Sequence, residues 1–183
     1  MSNSLIATIA VLVGAIAAAT DLRNGRIPNQ LTLPAMLLGV AVHGAFSGIA
    51  GALESVVGLL VCAAVPGIVY WATKGAAIGG GDLKLFGALG ALLGPMHGLE
   101  VELSSFLLLG VFAFFRLAYL GQLSRALLTS LQLVAGPLVP ALKRRVATNG
   151  LVMTEMRMGP AIAVAILTVL GLPHLMKWLP WLG

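Results

Sequence analysis

The chain has 183 residues, of which 59% are hydrophobic and only 9% are charged, with a formal net charge of +5. A soluble domain carries about 25% charged residues, so this composition excludes an ordinary soluble protein and indicates an integral membrane protein. The apolar runs are continuous rather than alternating, which favours membrane helices over the strands of a membrane barrel. Nucleic-acid binding is not indicated, because the basic residues lie at the ends of apolar runs instead of forming one patch.

The length leaves room for a handful of helices of about 20 residues each and for no separate soluble domain. We therefore predict an all-α polytopic membrane protein in which residues 1–183 form a single membrane-embedded domain. The one cysteine, Cys62, lies inside an apolar run and excludes an internal disulfide. The first residues lack the positive charges that begin a cleaved signal peptide, so we expect the first apolar run to be retained as a helix.

Six apolar segments are long enough to be transmembrane helices once flanking polar residues complete them. In chain order they cover residues 5–20, 31–46, 56–73, 83–98, 103–120 and 158–179. Between the last two, residues 120–146 have leucines at helical spacing with polar residues between them, which predicts an amphipathic helix on the cytoplasmic face. For this segment a structural role is favoured over substrate binding. In the fourth segment Gly87, Gly90 and Gly94 predict close helix packing.

The distribution of charge predicts how the six segments are oriented. Ten of the eleven Lys and Arg residues fall on one side of the membrane, and only Lys177 falls on the other, together with Glu54, Glu100 and Glu102. Basic loops stay in the cytoplasm, so both termini are predicted to lie outside. The ten basic residues are Arg23, Arg26, Lys74, Lys84, Arg116, Arg125, Lys143, Arg144, Arg145 and Arg157. The three histidines, His43, His97 and His174, fall in the outer half, away from both aspartates, so neither a metal site nor a cofactor is expected.

The chain contains only two aspartates, and each lies at the end of an apolar segment. Asp21 ends the first segment, and Asp82 precedes the fourth within the run I-G-G-G-D-L-K-L. One interpretation is structural: Asp82 is the N-cap of a helix, and Asp21 pairs with Arg23 or Arg26 near the lipid headgroups. The local pattern alone does not decide between this interpretation and a chemical one.

The chemical interpretation treats the two carboxyl groups as a pair on the cytoplasmic face. Two carboxylates in one site cannot both ionise cheaply, so one keeps its proton while the other activates water, which is aspartyl protease chemistry. A charge is costly near lipid, and a carboxylate retained there is a candidate functional residue. The glycines before Asp82 would let a substrate backbone or a partner helix approach closely. After Asp21, Asn24-Gly25 predicts a turn, and Pro28 ends the loop before the second segment.

Two motifs together resemble the type IV prepilin peptidases, which are membrane aspartyl proteases of the GxGD type. The first is Asp21 followed by a basic loop that ends in I-P-N at residues 27–29. The second is G-G-G-D-L-K-L at residues 79–85, continued by F-G-A-L-G-A. A third segment, G-P-A-I-A at residues 159–163, resembles the terminal segment of the family. G-x-G-D alone is a weak signal, whereas the combination is specific and extends from the first apolar segment to the sixth.

The resemblance implies an aspartic endopeptidase that removes the leader peptide of prepilins or pseudopilins at the cytoplasmic face of the bacterial inner membrane. It implies that Asp21 and Asp82 are the catalytic pair. Supporting or substrate-positioning roles are implied for Gly79, Gly80, Gly81, Lys84, Pro28, Asn29, Gly159 and Pro160. Lys84 either orients Asp82 or a substrate carbonyl, or it is an interfacial lysine whose charge reaches water.

The chain departs from the family pattern in two places. Many bacterial members carry a cytoplasmic insert with cysteine pairs that is associated with N-methylation of the trimmed pilin, whereas this chain has no such insert and one cysteine. It therefore resembles the short, peptidase-only branch that serves tight-adherence (Flp-type) pili, and methyltransferase activity is not expected. Arg157 and Met158 stand where the family often has proline followed by an aromatic residue, so substrate preference could differ there.

Two other functions fit parts of the pattern. A small proton-coupled transporter would also keep carboxylates in the membrane. It would place them near the midplane and show an internal repeat, whereas here they lie at helix ends and no convincing repeat is seen. An intramembrane protease of the presenilin type would share G-x-G-D, but the D…I-P-N element argues against it.

Overall fold

A computed structural model describes residues 2–75, 78–121 and 159–171 of the chain. Every regular element within those ranges is a helix, as the composition predicts. Helix α1 covers Ser2–Asn24, α2 covers Asn29–Thr73, and α3 covers Gly80–Tyr119. Helix α4 covers Gly159–Ile166 and continues as a π-helical turn over Leu167–Gly171.

Three helices in the described ranges are long and apolar enough to cross a membrane, over Leu5–Asn24, Asn29–Thr73 and Gly80–Tyr119. These helices support a membrane protein, while the count of six spans stays a prediction. The predicted amphipathic helix lies outside the described residues, except for its first two positions, and so do His174, Lys177 and the end of the predicted sixth span.

Helix α2 contains two of the predicted spans, residues 31–46 and 56–73, which are joined at a kink rather than by a loop. Only Gly48 leaves helical geometry, with φ 65° and ψ −152°. Two glycines of α2 lie against the backbone of α3. A methyl group added to Gly39 would lie 2.6 Å from the carbonyl carbon of Ala91, and one added to Gly58 would overlap the carbonyl group of Gly90. Residues 39 and 58 would be about 28 Å apart on an uninterrupted helix. Since both contact the same short stretch of α3, the chain turns sharply at Gly48.

Helix α3 is interrupted in the same way, at Gly94. This residue has φ 78° and ψ 173° and is followed by Pro95. A methyl group added to Gly98 would lie 3.0 Å from the Cα atom of Gly90. Eight residues of straight helix cover about 12 Å, so the backbone bends at Gly94. The predicted boundary after residue 98 is therefore four residues too late.

Glycine allows α2 and α3 to approach until their backbones touch. The carbonyl group of Gly58 occupies the space that a Cβ atom on Gly90 would need, and the carbonyl group of Gly90 does the same for Gly58. The contact is completed by the hydroxyl of Ser55, which donates a hydrogen bond of 2.7 Å to the carbonyl oxygen of Ala91. This confirms the packing role predicted for Gly90, because small residues let membrane helices pack closely.

The core belongs to the first of two compact units, which comprises Met1–Leu108 and Arg157–Gly183. In α1 the buried apolar residues recur every three or four positions and form one face. They include Ile6, Ala10, Val13 and Ala17, and Ala18 is buried beside them. Gly14 lies beside that face, and a methyl group there would overlap Ile166 of α4. Helix α4 thus packs on α1. The second unit, Leu109–Met156, is described over residues 109–121, which continue α3.

The predicted segments placed Glu102 in a loop between the fourth and the fifth, but no loop is found there. Glu102 lies within α3 with 1% of its surface exposed, and neither of its carboxyl oxygens has a hydrogen-bond partner among the described residues. Cys62 is buried and free, in keeping with its place in an apolar run. Glu102 is therefore an interior residue of the helix bundle, while the side of the membrane predicted for it stays a prediction.

Candidate active site

The first predicted aspartate lies in the last turn of α1. Its backbone carbonyl accepts a hydrogen bond of 2.8 Å from the N–H of Gly25, which has φ 63°. A left-handed glycine that donates back to the fourth preceding residue is a common helix ending. This geometry confirms the turn predicted at Asn24-Gly25. It also fixes Asp21 at the mouth of the following loop, where the residue is only 6% exposed.

The second aspartate lies in the first turn of α3. The N–H of Leu83 donates to the carbonyl of Gly79 over 3.2 Å, so the cap position is Gly79 rather than Asp82, the residue to which the structural interpretation assigned it. Asp82 is the third residue of the helix, and a backbone hydrogen bond joins Gly79 to its carboxyl group. An acidic side chain at this position can satisfy the cap residue's free N–H, as in a capping box. Asp82 therefore helps to cap the helix from within.

The two aspartates line the same cavity. Its volume is about 310 Å³, and it lies within the first compact unit. The lining residues are Asp21, Gly25, Arg26, Ile27, Gly79, Gly80, Gly81 and Asp82. The two carboxyl groups are close enough to interact electrostatically. The structure thus brings together two acidic residues that are 61 positions apart in the chain.

The three glycines before Asp82 differ in how closely other atoms approach them. A methyl group on Gly81 would lie 3.1 Å from Cβ of Ile27, so this glycine lets the loop after α1 contact the start of α3. On Gly79 it would lie 3.0 Å from Oδ2 of Asp82. On Gly80 the nearest atom belongs to Tyr70 at 3.7 Å, which is ordinary contact. Close approach of a partner segment, one of the two purposes predicted for the run, therefore applies to Gly81.

A side-chain hydrogen bond links the two sequence motifs. Nζ of Lys84 donates to Oδ1 of Asn29 over 2.8 Å. Asn29 begins α2 directly after Pro28, whose extended backbone with ψ 142° occupies the cap position. The carbonyl of Pro28 accepts the first hydrogen bond of the helix, from Leu31. Lys84 is therefore placed to hold the I-P-N segment against the first turn of α3.

The third motif contacts Asp21 directly. The backbone N–H of Gly159, the first residue of α4, donates to Oδ2 of Asp21 over 3.0 Å in a buried position. A methyl group on Gly159 would lie 2.8 Å from Cβ of Asp21 and 3.2 Å from Cα of Ala18. Pro160 follows in the first turn of α4, where the N–H that proline lacks would have no helical partner. Gly159 thus lies beside the aspartate and leaves no room for a side chain of its own.

The profile of the type IV leader peptidase family matches residues 8–115. This range is more than half of the chain and contains both aspartates. The chain belongs to the type IV leader peptidase family. The match confirms the family predicted from the motifs and makes the chain a protease. Gly159 and Pro160 lie beyond the matched range. Comparison with curated proteins and with solved structures gave no match.

The cavity of this leader peptidase includes three residues that the sequence did not single out as site residues, Gly25, Arg26 and Ile27. Their position in the sequence could have identified them, because they directly follow the last turn of α1, which carries Asp21. In residues 2–75, 78–121 and 159–171, no three His, Cys, Asp or Glu side chains cluster as ligands of a metal ion would. The chemistry offered by the cavity is therefore that of two carboxyl groups with an arginine on the wall.

Proposed function

We propose that this leader peptidase is an aspartic endopeptidase that uses Asp21 and Asp82 to remove the leader of type IV prepilins or pseudopilins. The observation that carries the proposal is the shared cavity, which both carboxyl groups line. No hydroxyl or thiol nucleophile is among the residues that line it. The reaction therefore requires a water molecule as the nucleophile and the two aspartates as its acid and base.

The chemistry follows from the proximity of two carboxyl groups. Ionisation of one carboxyl group disfavours ionisation of the other, so the form of the pair that holds one proton offers a base and an acid in the same site. The ionised member removes a proton from water as the water oxygen attacks the scissile carbonyl carbon. The protonated member donates its proton to the carbonyl oxygen, which gives a tetrahedral gem-diol. As the gem-diol collapses, the aspartate that took the proton from water passes it to the departing amine nitrogen, the C–N bond breaks, and a hydroxyl proton of the gem-diol returns to the other aspartate. The pair then returns to its starting state.

The site offers the space and the fixed geometry that this reaction needs. A cavity of about 310 Å³ falls at the lower end of the range for ligand pockets, so it suits a few residues of extended peptide. Asp21 is held by Gly159 and Asp82 by Gly79. Catalytic groups held by backbone contacts need little reorganisation when substrate arrives.

Charge supports a cytoplasmic site with both termini outside. Arg23 and Arg26 follow Asp21, and Lys84 follows Asp82, so each aspartate is followed closely in the chain by basic residues. Basic residues at the ends of membrane helices favour the cytoplasmic face. Together with the family membership, this charge distribution supports a location in the bacterial inner membrane, and the resemblance implies a cut between a short basic leader and the hydrophobic helix of the prepilin.

The connection between α1 and α2 supports the peptidase-only branch of the family. The two helices are separated by residues 25–28 alone, and this connection contains no cysteine. A cysteine-rich insert of the kind associated with N-methylation is therefore not present at this position. We propose Flp-type prepilins as the substrates and leader removal without methylation as the outcome.

The proposal is tested by co-expressing a Flp-type prepilin with the peptidase and following leader removal on a gel. Asp21→Asn and Asp82→Asn keep the shape of each side chain and remove its charge, so each should abolish cleavage. Glu100→Gln is the matched control: it removes a carboxylate that pairs with His97 outside the cavity, and it should cleave normally. Unimpaired cleavage by either aspartate variant would disprove the assignment.

Two further measurements separate the proposal from the other functions. Mapping the cut by mass spectrometry should place it at the junction of leader and hydrophobic helix, whereas cuts inside the helix would indicate an intramembrane protease. Proton-dependent uptake of solutes into liposomes containing the purified protein would favour a transporter. The family match supports the peptidase over that alternative.

A further inference from the structure

The N-terminus of α4 meets the candidate active site through one backbone group. The N–H of Gly159 donates to Oδ2 of Asp21 over 3.0 Å, across 138 positions of sequence. The hydrogen bond is buried, and Asp21 itself is 6% exposed, so little water is available to replace the donor. A buried carboxylate oxygen that loses its donor is left with an unmet hydrogen bond.

The contact is fixed by close packing on both sides. A methyl group on Gly159 would lie 2.9 Å from Oδ2 of Asp21 and 3.2 Å from Cα of Ala18, so any side chain would displace the carboxyl group or part the two helices. Two turns further along α4, Ile166 packs where Gly14 has no side chain. The N–H of Gly159 is therefore held in place by the helix contact rather than by a flexible loop.

We propose that Gly159 is a positioning residue whose backbone N–H sets the orientation of the Asp21 carboxyl group for catalysis. This inference rests on the proposed function, and of the two roles implied for Gly159, supporting or substrate-positioning, it selects support of the catalytic pair. The third motif then has a physical purpose. Glycine is required because the donor must approach within hydrogen-bond distance of a side chain that lies where a Cβ atom would be.

The test removes the donor without adding volume. In cell-free synthesis, glycolic acid in place of Gly159 turns the amide into an ester and replaces the N–H with an oxygen. The matched control is the same exchange at Val164, which is 47% exposed on α4 and whose N–H serves the helix alone. With a Flp-type prepilin in liposomes, the Gly159 ester should lower kcat about 10- to 100-fold, as displacement of a catalytic group does, with KM changed less than threefold. The Val164 ester should keep both constants within twofold.

A second readout does not depend on catalysis. Because the chain has only two aspartates, cell-free labelling with [4-¹³C]aspartate gives two carboxyl resonances, which Asp21→Asn and Asp82→Asn assign. The Gly159 ester should move the Asp21 resonance and leave that of Asp82 in place. The inference is overturned if the Gly159 ester cleaves as well as the Val164 ester, or if the Asp21 resonance does not move. Cleavage that survives Asp21→Asn would refute the proposed function instead, while the resonance shift would still test the contact.

Discussion

The hydrogen bond between Lys84 and Asn29 offers a test of how the two aspartate segments are held together. Lys84→Met keeps a long side chain but removes the charge, and Asn29→Ala removes the acceptor. Lys84 follows Asp82 by two positions, and Asn29 begins the helix that follows the loop after Asp21. If the bond keeps these segments in register, either change should lower kcat/KM for prepilin cleavage.

The magnitude follows from the exposure of the bond, which is 2.8 Å long and solvent-exposed. An exposed charged pair contributes about 0.2–1 kcal/mol, and a hydrogen bond to a charged group reaches about 1.5 kcal/mol when it is better shielded. Since about 1.4 kcal/mol corresponds to a tenfold change in rate, each single variant should lose about two- to tenfold in kcat/KM. The effect should come with little change in melting temperature.

The assay is the initial rate of leader removal by the purified full-length protein in liposomes. The variant with both changes should lose no more than either single variant, because only one bond exists to be broken. Lys74→Met is the control for loss of a positive charge, since Lys74 is exposed at the end of α2 and should tolerate the change. Losses that multiply in the combined variant would refute a shared bond. An effect of Lys84→Met without one of Asn29→Ala would favour a lysine that acts on lipid or substrate alone.

Three further variants test the packing and the cavity. Gly90→Ala should destabilise the protein by about 1–3 kcal/mol, because the methyl group would overlap the backbone of α2, whereas Gly110→Ala, which meets nothing within 4 Å, should be neutral or slightly stabilising in thermal unfolding. Gly81→Ala places a methyl group 3.1 Å from Ile27 and should lower the cleavage rate about tenfold through displacement of the loop; an unchanged rate would contradict the close approach. Glu102→Met removes a buried carboxyl group with no partner among the described residues and should stabilise the fold by about 1–3 kcal/mol with cleavage intact, whereas a lower melting temperature would reveal a partner.

The sequence alone was enough to determine the chemical character of this protein. Composition required membrane helices, because lipid offers no hydrogen bonds to the backbone and each span must satisfy its own. Local rules also located Asp21 and Asp82 near helix ends. Gly25 permits the left-handed ending of α1, and the run before Asp82 marks the start of α3. These features depend on neighbours in the chain, so a single sequence is sufficient to read them.

Helix breaks were harder to predict, because glycine is common in this chain. There are 23 glycines, and most of those in α2 and α3 stay helical, while Gly48 and Gly94 do not. Whether a glycine packs, as Gly90 does, or breaks a helix depends on which residues of the neighbouring helix lie against it. That information is absent from the local pattern, which is why the predicted boundary after residue 98 was four residues too late.

Only the tertiary structure decided which atoms meet at the site. The contact of Gly159 with Asp21 joins residues 138 positions apart, and the bond of Lys84 to Asn29 joins residues 55 apart. Both arise where helices pack against each other, and packing depends on the shapes of several helices at once. The sequence identified the two aspartates, and the resemblance to the family motifs identified their supporting residues. The fold determined which atoms each supporting residue contacts, because a backbone N–H and a lysine amine form hydrogen bonds only with acceptors within about 3 Å.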